Sequence, residues 1–190
     1  MATRRDIPPS ARYGLVIVSL GLMTAGGAIS APVASAAYST APAAAPAVAP
    51  VGAEAMTALE KQALVHVNAL RTAHGCAALV IDRGLEKAAH GYAAEMVRTH
   101  NFSHTSASGK SPGDRARDAG YTRGGVGENI AMGFRGDPDG VVNDADYGWM
   151  SSSGHRENIL DCDYTRTGMG YAAGNIDPHY ADGSWVQVFG

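Results

Sequence analysis

Three side chains of this 190-residue chain have types suited to binding a metal ion or moving a proton: His104, Glu128 and His155. Each lies in a short polar segment at the predicted boundary of a helix or strand, where functional groups are commonly displayed. Two neutral imidazoles and one carboxylate match the ligand set of an open zinc site. Their intervals match no local metal motif such as H-E-x-x-H, so only the fold can bring them together.

The other histidines have a structural or solvent-exposed interpretation. His66, His74 and His90 lie within or at the end of predicted amphipathic helices, and we expect them to point to solvent. His100 lies at the end of a helix, and His179 lies in a loop between strands.

Four helices are predicted from apolar residues at three- and four-residue steps and from terminal signals. The first covers residues 54–73 and is stopped by Gly75, and the second follows Asp82 as its N-cap. Ser111 and Pro112 open the third, which Gly120 closes, and Asp137 and Pro138 open the fourth. The residues expected to face the core are, in the second helix, Leu85, Ala88, Ala89, Tyr92 and Met96 and, in the fourth, Val141, Val142, Ala145 and Trp149.

The end of the chain changes to the two-residue period of strands. Residues 168–172 and 185–189 are predicted to pair across a turn-rich loop that contains Asp182 and Gly183. Helices first and strands late indicate an α+β domain rather than a doubly wound sheet.

The first 36 residues have the pattern of a secretory signal peptide (1–36). Arg4, Arg5 and Arg12 precede the apolar stretch 14–23, and small residues end the segment at Ala36. A retained membrane anchor is the alternative, which the Gly and Ser residues within the apolar stretch disfavour. We therefore expect export to the outside of the cell or its envelope, with no membrane span after cleavage. The general secretory and twin-arginine routes both remain open.

Residues 37–53 are an Ala/Pro-rich linker. Pro42, Pro46 and Pro50 break helices and favour an extended tether. The remaining residues 54–190 suffice for one domain with its own core. A formal net charge of −3 argues against a nucleic-acid-binding protein, which would need a basic surface. We also expect the chain to be a monomer.

Cys76 and Cys162 are the two cysteines of the chain. An even pair in an oxidising compartment is expected to form a disulfide. Metal ligation is less favoured, because neither cysteine has a Cys or His at ligand spacing. This disulfide would close a loop of 86 residues. In the chain-entropy model a loop of that length contributes about 4 kcal/mol to stability.

Five segments, in this order along the chain, resemble the CAP superfamily of cysteine-rich secretory proteins, antigen 5 and pathogenesis-related class 1 proteins. The resemblance covers about residues 57–190 and is closest to the bacterial SCP-like branch, in which a subset has cysteines at positions similar to Cys76 and Cys162. The segments are Phe-Ser-His-Thr (102–105), Gly-Glu-Asn-Ile-Ala (127–131), Trp-Met-Ser-Ser-Ser-Gly-His-Arg-Glu-Asn-Ile-Leu (149–160), Gly-Met-Gly-Tyr (168–171) and Trp-Val-Gln-Val-Phe-Gly (185–190).

The resemblance implies a single α-β-α sandwich domain with a cleft that holds two histidines and two acidic residues. His104, Glu128 and His155 match the two histidines and the first acid. Ser152 stands where eukaryotic members have the second acid, so the full tetrad is not present. Glu157 is a poor substitute, because positions i and i+2 of a helical turn face apart.

Five further polar residues and two aromatic ones have structural interpretations. Asn129 and Asn158 are expected to bond backbone groups in turns, and Arg156 to pair with a nearby carboxylate. Asn68 and Arg71 resemble a family feature that buttresses the sandwich. Trp149 and Tyr147 are interpreted as core and cleft wall.

Three functions remain open, and the first is favoured. In the first, the domain is a binding or interaction module in which His104 and His155 ligate Zn²⁺ or another divalent cation, while Glu128 holds a water or orients an imidazole. In the second, the resemblance implies lipid or sterol binding, or an extracellular or envelope partner, without a metal. In the third, the same three residues are the catalytic candidates of a metal-dependent hydrolase, with Glu128 accepting the proton.

Overall fold

The computed structural model describes residues 56–177 and 183–190. The predicted signal peptide (1–36) and linker (37–53) lie outside these residues, as do His179 and Asp182. Within the described ranges, no helix is long and apolar enough to cross a membrane.

In the described residues, helices are interspersed with the strands of one mixed sheet. The helices are α1 (Ala58–Ala73), α2 (Arg83–Thr99), α3 (Pro112–Asp118), α4 (Gly140–Asn143) and α5 (Ser153–Leu160), with 3₁₀ turns at Phe134–Gly136 and Trp149–Ser151. The strands are β1 (Val80–Ile81), β2 (Gly127–Met132), β3 (Arg166–Ala172) and β4 (Ser184–Phe189).

Local capping residues fix the first three helices much as predicted. Thr57 and Glu60 form a capping box at α1, which begins at Ala58 rather than at residue 54. The Asp82 side chain accepts two amides at the start of α2, as its type predicts. Ser111 caps α3.

The sheet has the strand order β1-β3-β4-β2. The predicted antiparallel pairing of β3 with β4 is confirmed, and β2 extends it on the other side of β4. The Gly-Glu-Asn-Ile segment was expected to precede a strand, but it lies within β2. β1 pairs in parallel with β3 and is only 2 residues long, too short for an alternation signal.

One hydrophobic core lies on each face of the sheet, which confirms the α-β-α sandwich. The core on one face joins α1, α4 and α5 to the Trp185 and Phe189 side of the sheet. The core on the other face joins α2 and α3 to Val186 and Val188. The five predicted core residues of α2 are all buried.

The fourth predicted helix is wrong in extent. α4 is a single turn, and the chain then bends before the 3₁₀ turn at Trp149. Val141, Val142 and Trp149 are buried as expected, but Ala145 is exposed. The reason is that Asp144 accepts the amides of residues 146 and 147 in a turn, which ends the helical period.

A buried arginine and the disulfide hold the end of α5 against α1. Arg71 has no exposed surface, and its guanidinium donates to the carbonyls of Ala77, Ile159, Asp161 and Tyr164 at 2.7–3.0 Å. The predicted disulfide between residues 76 and 162 joins the same regions.

Asn68, expected with Arg71 to buttress the sandwich, bonds both the amide and the carbonyl of Leu79. It thereby secures the segment leading into β1.

Helix α2 packs backbone against backbone on β3, which explains the Gly-Met-Gly segment. A Cβ added at Gly168 would lie 2.1 Å from the α2 backbone at Leu85 and Glu86, closer than any real contact. Gly91, on the exposed side of α2, has nothing within 4 Å of such a Cβ.

We predict that Gly168→Ala destabilises the protein by about 3 kcal/mol or more, because helix and strand must separate. The matched change Gly91→Ala should stabilise it by about 0.5–1 kcal/mol, since alanine is the better helix former. Urea unfolding followed by circular dichroism measures both free energies. Equal effects of the two changes would contradict this packing.

Glu60 is a buried acid that links α1 to the other layers. Its carboxylate accepts the backbone amides of Thr57 (2.6 Å) and Tyr171 (2.7 Å) and lies 3.0 Å from His90 Nε2. His90 was expected to point to solvent, and that prediction is wrong, because the His90 ring of α2 lies against the buried carboxylate of Glu60 in α1. Burial alone would raise the pKa of Glu60, but the bonds from His90 and the two amides outweigh it and leave the pKa below its usual 4.5.

We predict that the stabilisation from Glu60 depends on pH. A folded-state pKa below the unfolded value means that the stabilisation is complete above about pH 4.5 and is lost as the pH falls through the folded pKa. Glu60→Gln should therefore cost about 2 kcal/mol near neutral pH and progressively less in acid. Unfolding free energies at several pH values measure the difference. Glu157→Gln, at an exposed site, is the control, and a cost that does not change with pH would contradict the role of this carboxylate.

Candidate functional site

Strand β2 places two functional side chains on opposite faces of the sheet. Glu128 is opposite Val188 of β4, and Asn129 is opposite Gln187. Because successive side chains of a strand alternate, Glu128 faces the α2 and α3 layer, whereas Asn129 faces the α5 layer. Both are buried.

Glu128 holds the first histidine. Glu128 Oε1 lies 2.9 Å from His104 Nδ1, in the loop after α2. The Glu128 side chain is 2% exposed and that of His104 is 53% exposed. A carboxylate can only accept, so the proton of the neutral imidazole lies on Nδ1 and the lone pair on Nε2. The structure therefore provides one oriented imidazole with a free nitrogen donor.

The second oxygen of Glu128 is taken by an arginine that the sequence analysis missed. Arg115 Nη2, on α3, lies 2.5 Å from Glu128 Oε2. Arg115 Nη1 donates to the carbonyls of His104 (3.0 Å) and Lys110 (2.8 Å). The guanidinium also stacks 3.4 Å over the Tyr92 ring. In the sequence, Arg115 is one of two arginines in a short polar helix, and nothing local marks it as buried.

Two asparagines position the second histidine, in the first turn of α5. Asn129 Nδ2 donates to the carbonyl of His155 at 3.0 Å. Asn158 Nδ2 donates to Asn129 Oδ1 at 2.8 Å and to the Glu128 carbonyl at 3.3 Å. Both asparagines bond backbone groups as predicted, but they do so from strand β2 and helix α5 and not from turns. A Cβ at Gly127 would lie 2.6 Å from the Tyr164 hydroxyl and 3.2 Å from Asn158 Oδ1, so this glycine gives room first to the Tyr164 ring.

His155 is half-buried and uncharged at neutral pH. Burial lowers its pKa below the ordinary 6.5, and the neighbouring His104 lowers that pKa further. A neutral imidazole is the form that ligates a metal or accepts a proton.

Three neighbours of His155 have other roles. Glu157 is exposed, in agreement with the expectation that it faces away from His155. Arg156 was expected to pair with a carboxylate, but its side chain donates to the carbonyl of Met150 at 2.9 Å. Ser152 precedes α5 without capping it through its side chain.

Three other side chains interpreted in the sequence analysis are exposed or partly exposed. His74 is exposed at the end of α1, as expected. The His66 ring is 36% exposed and 3.4 Å from Asp139. Tyr147, expected at the cleft wall, is 63% exposed.

By residue type, the side chains here that could donate to a metal ion are the two imidazoles, His104 and His155. Among residues 56–177 and 183–190, no three His, Cys, Asp or Glu side chains are arranged to hold an ion together. Both carboxylate oxygens of Glu128 already have partners. The possible metal donors are therefore imidazole nitrogens, and the Glu128 carboxylate is hydrogen-bonded to one of these rings, that of His104.

Comparisons with known proteins agree with this fold. The model of the cysteine-rich secretory protein family, CAP, matches residues 64–189. The chain is 36% identical over 135 residues to the uncharacterized protein YkwD of Bacillus subtilis strain 168, covering 70% of this chain and 48% of YkwD. It thus spans about half of that relative's length.

Two solved structures are similar over the same region. An extracellular SCP-domain protein of Bacillus anthracis strain Ames has 30% identity and a TM-score of 0.56, covering 69% of this chain and 39% of its own. An outer surface protein of Borrelia burgdorferi has a TM-score of 0.57, covers 70% of this chain and 91% of its own, and at 24% identity supports the fold alone. Since the family model spans most of the chain and the sheet and helices have the expected arrangement, the chain belongs to the cysteine-rich secretory protein (CAP) family.

Proposed function

We propose that this chain is an exported CAP-family binding module whose imidazole pair, His104 and His155, holds a divalent transition-metal ion. One observation carries the proposal: Glu128 accepts from His104 Nδ1, which leaves Nε2 as a donor on a half-exposed side chain. In metalloproteins, ligating histidines are commonly oriented by such a carboxylate. Glu128 therefore serves as an orienting group.

The ligand chemistry favours Zn²⁺ and similar ions. Imidazole nitrogen suits zinc, copper and nickel, whereas magnesium and calcium prefer oxygen ligands. Structural zinc sites usually have four protein ligands, and a site with fewer leaves coordination positions open. An ion held by two imidazoles would offer those positions to a ligand, which supports a binding role.

Export is supported by three features. Residues 1–36 have the composition of a signal peptide. The disulfide between Cys76 and Cys162 is typical of an oxidising compartment. The similar protein of B. anthracis is described as extracellular and that of B. burgdorferi as an outer surface protein.

Two other functions have less support. In a metal-dependent hydrolase Glu128 would accept a proton, but its carboxylate is already shared between His104 and Arg115. Lipid or sterol binding needs an apolar pocket, and the two cavities beside residues 124–126, of about 440 and 630 Å³, both have arginine side chains in their lining.

We predict that the exported protein binds one Zn²⁺ and that His104→Ala or His155→Ala weakens this binding by about tenfold or more. Isothermal titration calorimetry with zinc measures the affinity. His74→Ala removes an exposed histidine at the end of α1 and should leave the affinity unchanged. Equal zinc affinity in all four proteins would contradict the proposal.

A further inference from the structure

Arg115 makes more contacts within this site than a surface ion pair would. Its side chain is 8% exposed and that of Glu128 is 2% exposed. One guanidinium nitrogen bonds the carboxylate, and another bonds two backbone carbonyls. The plane lies over Tyr92, whose hydroxyl donates to the carbonyl of Ser103 and so secures the loop that carries His104.

The atoms around the guanidinium are those that bind a hard cation. Glu128 Oε2 and the carbonyl oxygens of His104 and Lys110 all point at it. Carboxylate and carbonyl oxygens are the ligands of Ca²⁺ and Mn²⁺. Arg115 thus fills an oxygen-lined position with a positive charge that belongs to the chain.

We infer that Arg115 is a positioning residue: its guanidinium takes the place of a hard cation and so keeps Glu128 as the orienting group of His104. This inference rests on the proposed function, because it explains why the imidazoles and not the carboxylate are the donors of the cleft. Moving the guanidinium would leave a buried carboxylate without a counter-charge, which is strongly unfavourable. The carboxylate is therefore unable to turn towards an ion in the cleft.

The experiment removes the guanidinium and offers a metal ion in its place. Arg115→Ala should be less stable than the wild type, and about 1 mM Ca²⁺ should raise its melting temperature by several degrees, because binding to the folded state stabilises it. Arg115→Ala/Glu128→Gln should lose this response, and the wild type and Arg115→Lys should respond by less than about 1 °C. Arg117→Ala, on the exposed side of α3, is the matched control.

Two results would overturn the inference. One is a shift for Arg115→Ala no larger than for the wild type. The other is an equal shift for the double variant, which would show that Glu128 is not the ligand. Neither result bears on the proposed zinc site, since zinc binding is tested by the histidine variants and Ca²⁺ rescue does not need His155.

If Arg115→Ala fails to fold, a measurement on the wild type and on Arg115→Lys still tests the inference. Long-range ¹⁵N–¹H correlation spectra at about pH 8, where imidazoles are neutral, report the tautomer of His104. The inference requires the proton on Nδ1 in the wild type and in Arg115→Lys. A proton on Nδ1 in the wild type but on Nε2 in Arg115→Lys would overturn the inference alone, whereas a proton on Nε2 in the wild type would overturn the proposed function as well.

Discussion

The buried ion pair between Glu128 and Arg115 is the interaction on which the site depends. A carboxylate with a 2% exposed side chain is tolerated because one oxygen meets a guanidinium and the other meets an imidazole. The same arginine holds the backbone of His104. Charge compensation and the orientation of the imidazole therefore have one cause, which is the packing of α3 against β2.

Strand β2 is the common support of both histidines. Glu128 reaches His104 on one face of the sheet, and Asn129 reaches the backbone of His155 on the other, so a one-residue change in register would separate them. The register is fixed by six residue pairs with β4. The far end of α5 is held to α1 by Arg71 and the disulfide, which limits how far His155 can move.

The parts of the fold that local chemistry decides were predictable, and those decided by contacts distant in sequence were not. Asp82 and the α2 core follow from capping and helical period, and the His104 and Glu128 pair followed from residue type and family resemblance. Arg115 was missed because its carboxylate partner lies on another element. His90 was placed in solvent because the helical period does not show that a buried acid of α1 lies beside it.

The most direct test of the account is a crystal structure of the zinc-loaded protein with anomalous diffraction at the zinc edge. The account predicts one ion bound by His104 Nε2 and an imidazole nitrogen of His155 at about 2.0–2.1 Å. It also predicts that Glu128 still bonds His104 Nδ1 and Arg115. An ion on a single histidine, or one ligated by Glu128 after the carboxylate has left Arg115, would contradict it.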